Sequence, residues 1–125
     1  ISCGIVHGVI PNAKPEPLAI DVVQKIRKVV SVPLVMHGAS GVPDEEIKAV
    51  IDAGVSKINA DTDLRFAFRQ GIEDVWAKGD AQLETAMAKG REYMIEATIA
   101  KMQLFGSAEK ALITERFSTS GERKW

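Results

Sequence analysis

His7 and His37 are the only histidines in the chain, thirty residues apart, and each is followed by glycine. Each closes a short apolar run, GIV before His7 and PLVM before His37. Thirty residues is about one strand–helix–strand step between adjacent parallel strands, so the two rings could meet at one sheet edge. Neutral imidazoles are good zinc ligands. Two isolated histidines could equally hydrogen-bond within a core. A catalytic zinc usually takes three protein ligands, so this pair is one short.

The second histidine opens a loop suited to anions. In Val32–Gly41, VPLVMHGASG, a buried strand runs into His37, and Gly38, Ala39, Ser40 and Gly41 leave backbone amides accessible ahead of a helix. A Gly-x-Ser-Gly turn before a helix is also an ordinary structural device. A second polar cluster follows at Asn59–Asp63. Ser40 and Thr62 offer hydroxyls for a phosphate or polyol. Asp61 and Asp63 suit either ligand contacts or helix N-capping. Arg65 suits a second anion or an ion pair with one of those aspartates. Lys57 is expected on the strand face shared with Val55 and Asn59, where it could reach the site. A Schiff-base role there would need an apolar setting. Cys3 reads as a small buried hydrophobe.

These groups must be held by alternating elements. The spacing predicts a strand at Ser2–Val6, a proline-punctuated loop at Val9–Pro17 and a helix over Leu18–Val30. A strand at Pro33–Met36, a helix at Pro43–Ala53 closed by Gly54, and a strand at Val55–Ala60 follow. Strands and helices at this pace predict parallel β/α units, with functional loops at the C-terminal strand ends, where His7, His37 and Asn59 fall. Beyond them the pattern is helical. Asp61–Lys78 carries a stripe of Leu64, Phe68, Ile72, Val75 and Trp76. Ala81–Phe105, with Asp80 as N-cap, carries Leu83, Met87, Met94, Thr98, Met102 and Phe105. Both stripes read as core or subunit interface, and Gly90 interrupts the second and marks a close helix contact. Ala108–Trp125 reads as a polar, poorly ordered tail.

The chain has 125 residues, 46% hydrophobic and 26% charged, which describes a globular domain with a real core. A net charge of −1 gives no electrostatic case for nucleic acid or an anionic membrane. No apolar run approaches the roughly 20 residues of a membrane span. One cysteine excludes an internal disulfide and an all-cysteine metal site, and a cytoplasmic location is expected. The chain opens at Ile1 on a strand that already reaches a functional loop, so a longer parent protein is expected.

Taken together, His7-Gly8, HGASG at His37–Gly41 and KINADTDLR at Lys57–Arg65 resemble the class II, zinc-dependent fructose-bisphosphate aldolases and their ketose-bisphosphate relatives. The likeness covers about Ile1–Lys78, with an echo in KMQLFGSAEKA at Lys101–Ala111. It implies an α/β fold, the C-terminal portion of a (β/α)8 TIM barrel. Residues 1–78 would be the last three β/α units and residues 79–125 a helical extension and tail. It implies that His7 and His37 are two of three zinc histidines. Gly8, Gly38, Ser40, Asp61 and Thr62 would cradle the phosphate of dihydroxyacetone phosphate. Asn59 would bind its enediolate end, and Arg65 would reach a neighbouring subunit's site. It further implies a monovalent cation (Na+ or K+), a phosphorylated sugar substrate, a dimer or tetramer, and a partnering N-terminal barrel half.

The implied chemistry is reversible aldol cleavage of a ketose bisphosphate, fructose 1,6-bisphosphate foremost, with tagatose and deoxyketose phosphates as alternatives. It needs a polarised ketone, donors for the enediolate charge and a carboxylate for the aldehyde proton. The third histidine and the acid/base aspartate are expected upstream, so no catalytic acid or base is expected in this chain. Many relatives carry lysine four residues after the first histidine; Pro11 stands there, and Lys14 is the nearest substitute. Two rival functions are a non-catalytic barrel half that serves assembly, and a metal-free phosphate-binding barrel enzyme using Lys57.

Overall fold

The computed structural model describes Ile1, Cys3 and residues 17–110. Their elements run α1 (Ile20–Val29), β1 (Leu34–Met36), α2 (Asp44–Asp52), β2 (Val55–Ile58), α3 (Thr62–Ala77) and α4 (Leu83–Leu104). Apart from Cys3 and Pro17, the expected first strand and the proline loop lie outside the described residues, as do residues 111–125 of the expected tail. The alternation predicted from the sequence is therefore observed from the first helix onward, with each element a little shorter than its apolar pattern.

β1 and β2 pair in parallel, joined by α2. Leu34 pairs with Val55, Val35 with Lys57 and Met36 with Ile58, so Ser56 is an extra residue on β2. That bulge breaks the expected two-residue alternation. Val55 is buried while Lys57 is exposed, so they do not share an environment as the spacing predicted.

One apolar core lies where α1 and α2 cover this ribbon. Val23, Met36, Ile47 and Val50 are fully buried within it, joined by Leu34, Ala39, Val55 and Cys3. Buried Cys3 matches its reading as a small hydrophobe, and its carbonyl accepts from the amide of Ala19, which ties the start of the chain to α1. Asp44, Glu45 and Glu46 occupy the first turn of α2, where the helix dipole favours them. Glu46 also accepts from the Leu18 amide at 2.7 Å, linking the entries of α1 and α2. Leu104 and Phe105, at the end of α4, pack back on this core.

α3 and α4 pack on each other at unusually short range. A Cβ at Gly71 would stand 2.6 Å from the Lys89 carbonyl oxygen, and one at Gly90 would stand 2.9 Å from that of Phe68. The two glycines let the backbones touch, as expected for Gly90; Gly71 is its unforeseen counterpart. The buried residues of α4 are consequently Ala86 and Gly90. Leu83, Met87 and Met102 of the expected stripe are exposed, as is Trp76 on α3, while Val75 is buried and Leu64, Phe68 and Ile72 are half-buried. A glycine-distance crossing leaves no room for long side chains.

Candidate functional site

The C-terminal ends of β1 and β2 lie side by side, and both polar clusters emerge there. The Asn59 amide donates to the Met36 carbonyl at 3.0 Å, and the Ala39 amide donates to the Asn59 carbonyl at 3.3 Å. The parallel ladder thus continues past the strands into both loops. Between them stands His37, exposed, with its Nδ1 3.3 Å from Asn59 Nδ2. In this pairing the amide nitrogen faces a ring nitrogen whose role depends on the tautomer. An amide carries a donor on one side and an acceptor on the other, so Asn59 can orient either tautomer of the imidazole.

Gly38 and Gly41 both adopt left-handed backbone, with φ of 76° and 77°. They flank Ala39, which is buried, and Ser40, which is half-buried. Glycine is the residue that takes such angles without a Cβ penalty, and the pair turns the chain from β1 toward α2. A side chain on Gly41 would meet nothing within 4 Å, so its requirement is the backbone angle and not space. Pro43 stands at the N-cap of α2, one residue before the first helical position expected for it.

The loop reaches across to α3. The Asp63 amide donates to Ser40 Oγ at 3.3 Å. Ser40 thereby caps the helix from a different segment, satisfying one of the amides that a helix start leaves unpaired. Asp61 occupies the N-cap position, yet its side chain makes no capping bond. It accepts instead from Arg65 Nη2 at 2.6 Å, an ion pair exposed on both sides. Asp63 pairs with Lys101 of α4 at 2.6 Å. Both aspartates that sequence reasoning weighed as caps thus have cationic partners. Thr62, the first residue of α3, is half-buried beside them.

The structure therefore places Gly38 and Ser40 after β1 and Asn59, Asp61, Thr62 and Arg65 after β2, with the two segments joined by the His37–Asn59 and Ser40–Asp63 contacts. His7 and Gly8 lie outside the described residues, as do Pro11 and Lys14. Lys57 is exposed among the described residues. Lys101 is the member that sequence reasoning missed as a site residue. It falls within KMQLFGSAEKA, but its partner lies 38 positions earlier, beyond any local spacing rule.

A zinc ion would find one suitable donor here, the exposed imidazole of His37 beside an orienting amide. Among the described residues no group of three or more His, Cys, Asp or Glu gathers as a metal site. The described residues fit part of a zinc site and leave the rest of the ligand set to others. No helix among them is long and apolar enough to cross a membrane.

Comparison with known proteins places this geometry in a family. A profile described as fructose-bisphosphate aldolase class-II matches residues 1–110. A sulfofructosephosphate aldolase of Alkalicoccus urumqiensis is 40% identical over 114 residues, covering 89% of this chain and 39% of that protein. A fructose-bisphosphate aldolase of Geobacillus stearothermophilus is 37% identical over 110 residues, covering 86% and 38%. The crystal structure of the YdjI aldolase from Escherichia coli K12 superposes with a TM-score of 0.69 at 36% identity, over 74% of this chain and 34% of that one. The chain spans about two-fifths of the length of the curated relatives it matches. With its paired strand ends, its HGASG loop seated on the start of α3 and a family match over residues 1–110, the chain belongs to the class-II fructose-bisphosphate aldolases.

Proposed function

We propose that this chain is the C-terminal barrel segment of a zinc-dependent lyase that reversibly cleaves a ketose bisphosphate. Fructose 1,6-bisphosphate, giving dihydroxyacetone phosphate and glyceraldehyde 3-phosphate, is the leading substrate. The carrying observation is the contact between the two polar loops: His37 beside Asn59 at 3.3 Å, and Ser40 beneath the Asp63 amide at 3.3 Å. One contact puts a metal-type ligand next to an amide. The other puts a hydroxyl and a glycine turn against a helix N-terminus.

In this reading His7 and His37 hold zinc together with a third ligand from the remainder of the barrel. Bound there, the metal would supply Lewis-acid polarisation of the ketone. Asn59 orients the His37 ring and donates to the oxygens at the reacting end of the substrate. Gly8, Gly38, Ser40 and Thr62 bind its phosphate through amides and hydroxyls, favoured by the positive end of the α3 dipole. Asp61 helps fix that turn. Arg65 reaches the second phosphate of a neighbouring subunit, and a monovalent cation assists the pocket. The acid/base carboxylate comes from the missing part of the barrel, so the segment alone does not turn over.

The substrate is the open choice, since one relative carries the name sulfofructosephosphate aldolase and another fructose-bisphosphate aldolase. The test is His37→Ala in the intact protein, assayed for cleavage of fructose, tagatose and sulfofructose phosphates with and without chelator. Chelator-sensitive cleavage by the parent, lost in the variant, is expected. Cleavage that survives the substitution refutes the assignment.

A further inference from the structure

The start of α3 carries two aspartates, Asp61 and Asp63, within a few residues of the loop assigned to phosphate. Two carboxylates there would oppose a dianion. Each is matched by one cation, but in different ways. Arg65 lies one turn along the same helix and is exposed with its partner. Lys101 comes from the far end of α4, and its pair with Asp63 is much better shielded, at 21% and 28% side-chain exposure. It is also the one ion pair among the described residues whose partners are not three or four positions apart on one helix. Asp63 is thus held twice: its amide by Ser40 of the loop, its carboxylate by α4.

We propose that Lys101 is a positioning residue for the phosphate loop. It cancels the Asp63 charge next to the anion. It acts through Asp63 and touches no substrate atom. The inference rests on the phosphate assignment made above.

The test measures the dissociation constant of inorganic phosphate on the intact protein by calorimetry, for the parent and four variants. Thermal unfolding of each preparation confirms that it is folded. Lys101→Met, which leaves Asp63 uncompensated, is expected to bind phosphate roughly three- to tenfold more weakly, the effect of one partly screened charge. Lys101→Arg keeps the charge and is expected to restore binding. Asp63→Asn removes the opposing charge and is expected to bind at least as tightly as the parent. The double variant with Lys101→Met recovers most of the loss. A merely structural pair predicts the opposite for Asp63→Asn, namely a loss like that of Lys101→Met, and that result overturns the proposal. So does unchanged affinity in Lys101→Met, or no phosphate binding by the parent. Cleavage of fructose 1,6-bisphosphate is assayed on the same preparations. A parent that shows this phosphate pattern but no cleavage supports the role of Lys101 while refuting the aldolase reading.

Discussion

Replacing Gly71 with alanine tests the helix crossing on which the position of Lys101 depends. In an isolated helix the change would be favourable by about 1 kcal/mol, because alanine is the better helix former. Here the new Cβ falls 2.6 Å from the Lys89 oxygen, 2.7 Å from its carbonyl carbon and 2.8 Å from Gly90 Cα. All three are backbone atoms of the facing helix and cannot swing aside. Ordinary contact between nonbonded atoms is about 3.5 Å, so α3 and α4 must part by roughly 1 Å. Overpacking of that kind costs about 1–3 kcal/mol, and parting also weakens dispersion along the rest of the interface. The net expectation is a loss of up to about 2 kcal/mol after the helix-propensity gain. Gly90→Ala should cost less: its Cβ meets the Phe68 carbonyl at 2.9 Å, but its other neighbours are carbons of a side-chain ring at 3.1 Å. Urea unfolding of the intact protein measures both, with an unchanged m-value as the condition for reading midpoints as stability. A Gly71→Ala variant that is more stable than the parent, or a Gly90→Ala variant that loses more, refutes the crossing geometry. Because α4 carries Lys101, Gly71→Ala should also weaken phosphate binding in the manner of Lys101→Met.

Two further outcomes follow from local contacts. Ser40→Ala removes the acceptor beneath the Asp63 amide and should cost about 1 kcal/mol by urea midpoint, together with weaker phosphate binding; full retention of both would detach the loop from α3. The Tyr93 hydroxyl donates to Asp74 at 2.8 Å and acts on both partners' titrations. Hydrogen bonds from Gln70 and Tyr93 hold the Asp74 carboxyl below its usual range, so their contribution is present above the unfolded carboxyl value, about 3.9, and is lost as pH falls through the folded one. The same carboxylate holds the Tyr93 phenol above its usual range, so that contribution is full below about 10 and is lost as pH rises through the folded value. Tyr93→Phe should shrink both limbs of a stability-versus-pH profile, leaving on the alkaline side the part that comes from Lys89, which its bond to Glu92 holds above its usual range; an unchanged alkaline limb would place its origin elsewhere.

The order of elements was legible because each followed from one short-range rule. Apolar residues at helical spacing predicted α1 and α2, and PLVM before His37 predicted β1. The contact between the two loops was legible too, since parallel β/α units place all such loops at one sheet edge. Less legible was which side of α3 and α4 faces the core. On α4, Leu83, Met87, Ile95, Ile99 and Met102 share one exposed face. Periodicity ranks positions by apolarity, while this contact selects for smallness, so it buries Ala86 and Gly90 instead. The start of α3 was legible in part. Asp61 and Asp63 have the right types for caps, and the ion pair of Arg65 with Asp61 follows from i,i+4 spacing, but a serine 23 positions upstream takes the Asp63 amide and Lys101 of α4 takes its carboxylate. No pattern within the helix reports those last two partners, which only the fold brings near.

The unequal shielding of those two cations has a consequence for assembly. In the proposed enzyme Arg65 leaves its own helix to meet a phosphate in a neighbouring subunit. To do so it must release Asp61, a pair in which both side chains are about 70% exposed. Pairs of that kind contribute about 1 kcal/mol or less, so a phosphate, which accepts two guanidinium hydrogen bonds, outcompetes the carboxylate without difficulty. Lys101 is placed the other way. Its shielded pair ties α4 to the helix start, and pulling it off would leave a half-buried carboxylate beside the bound anion. One aspartate thus gives up its cation readily and the other keeps it, so the Asp63 charge stays cancelled while Arg65 changes partners.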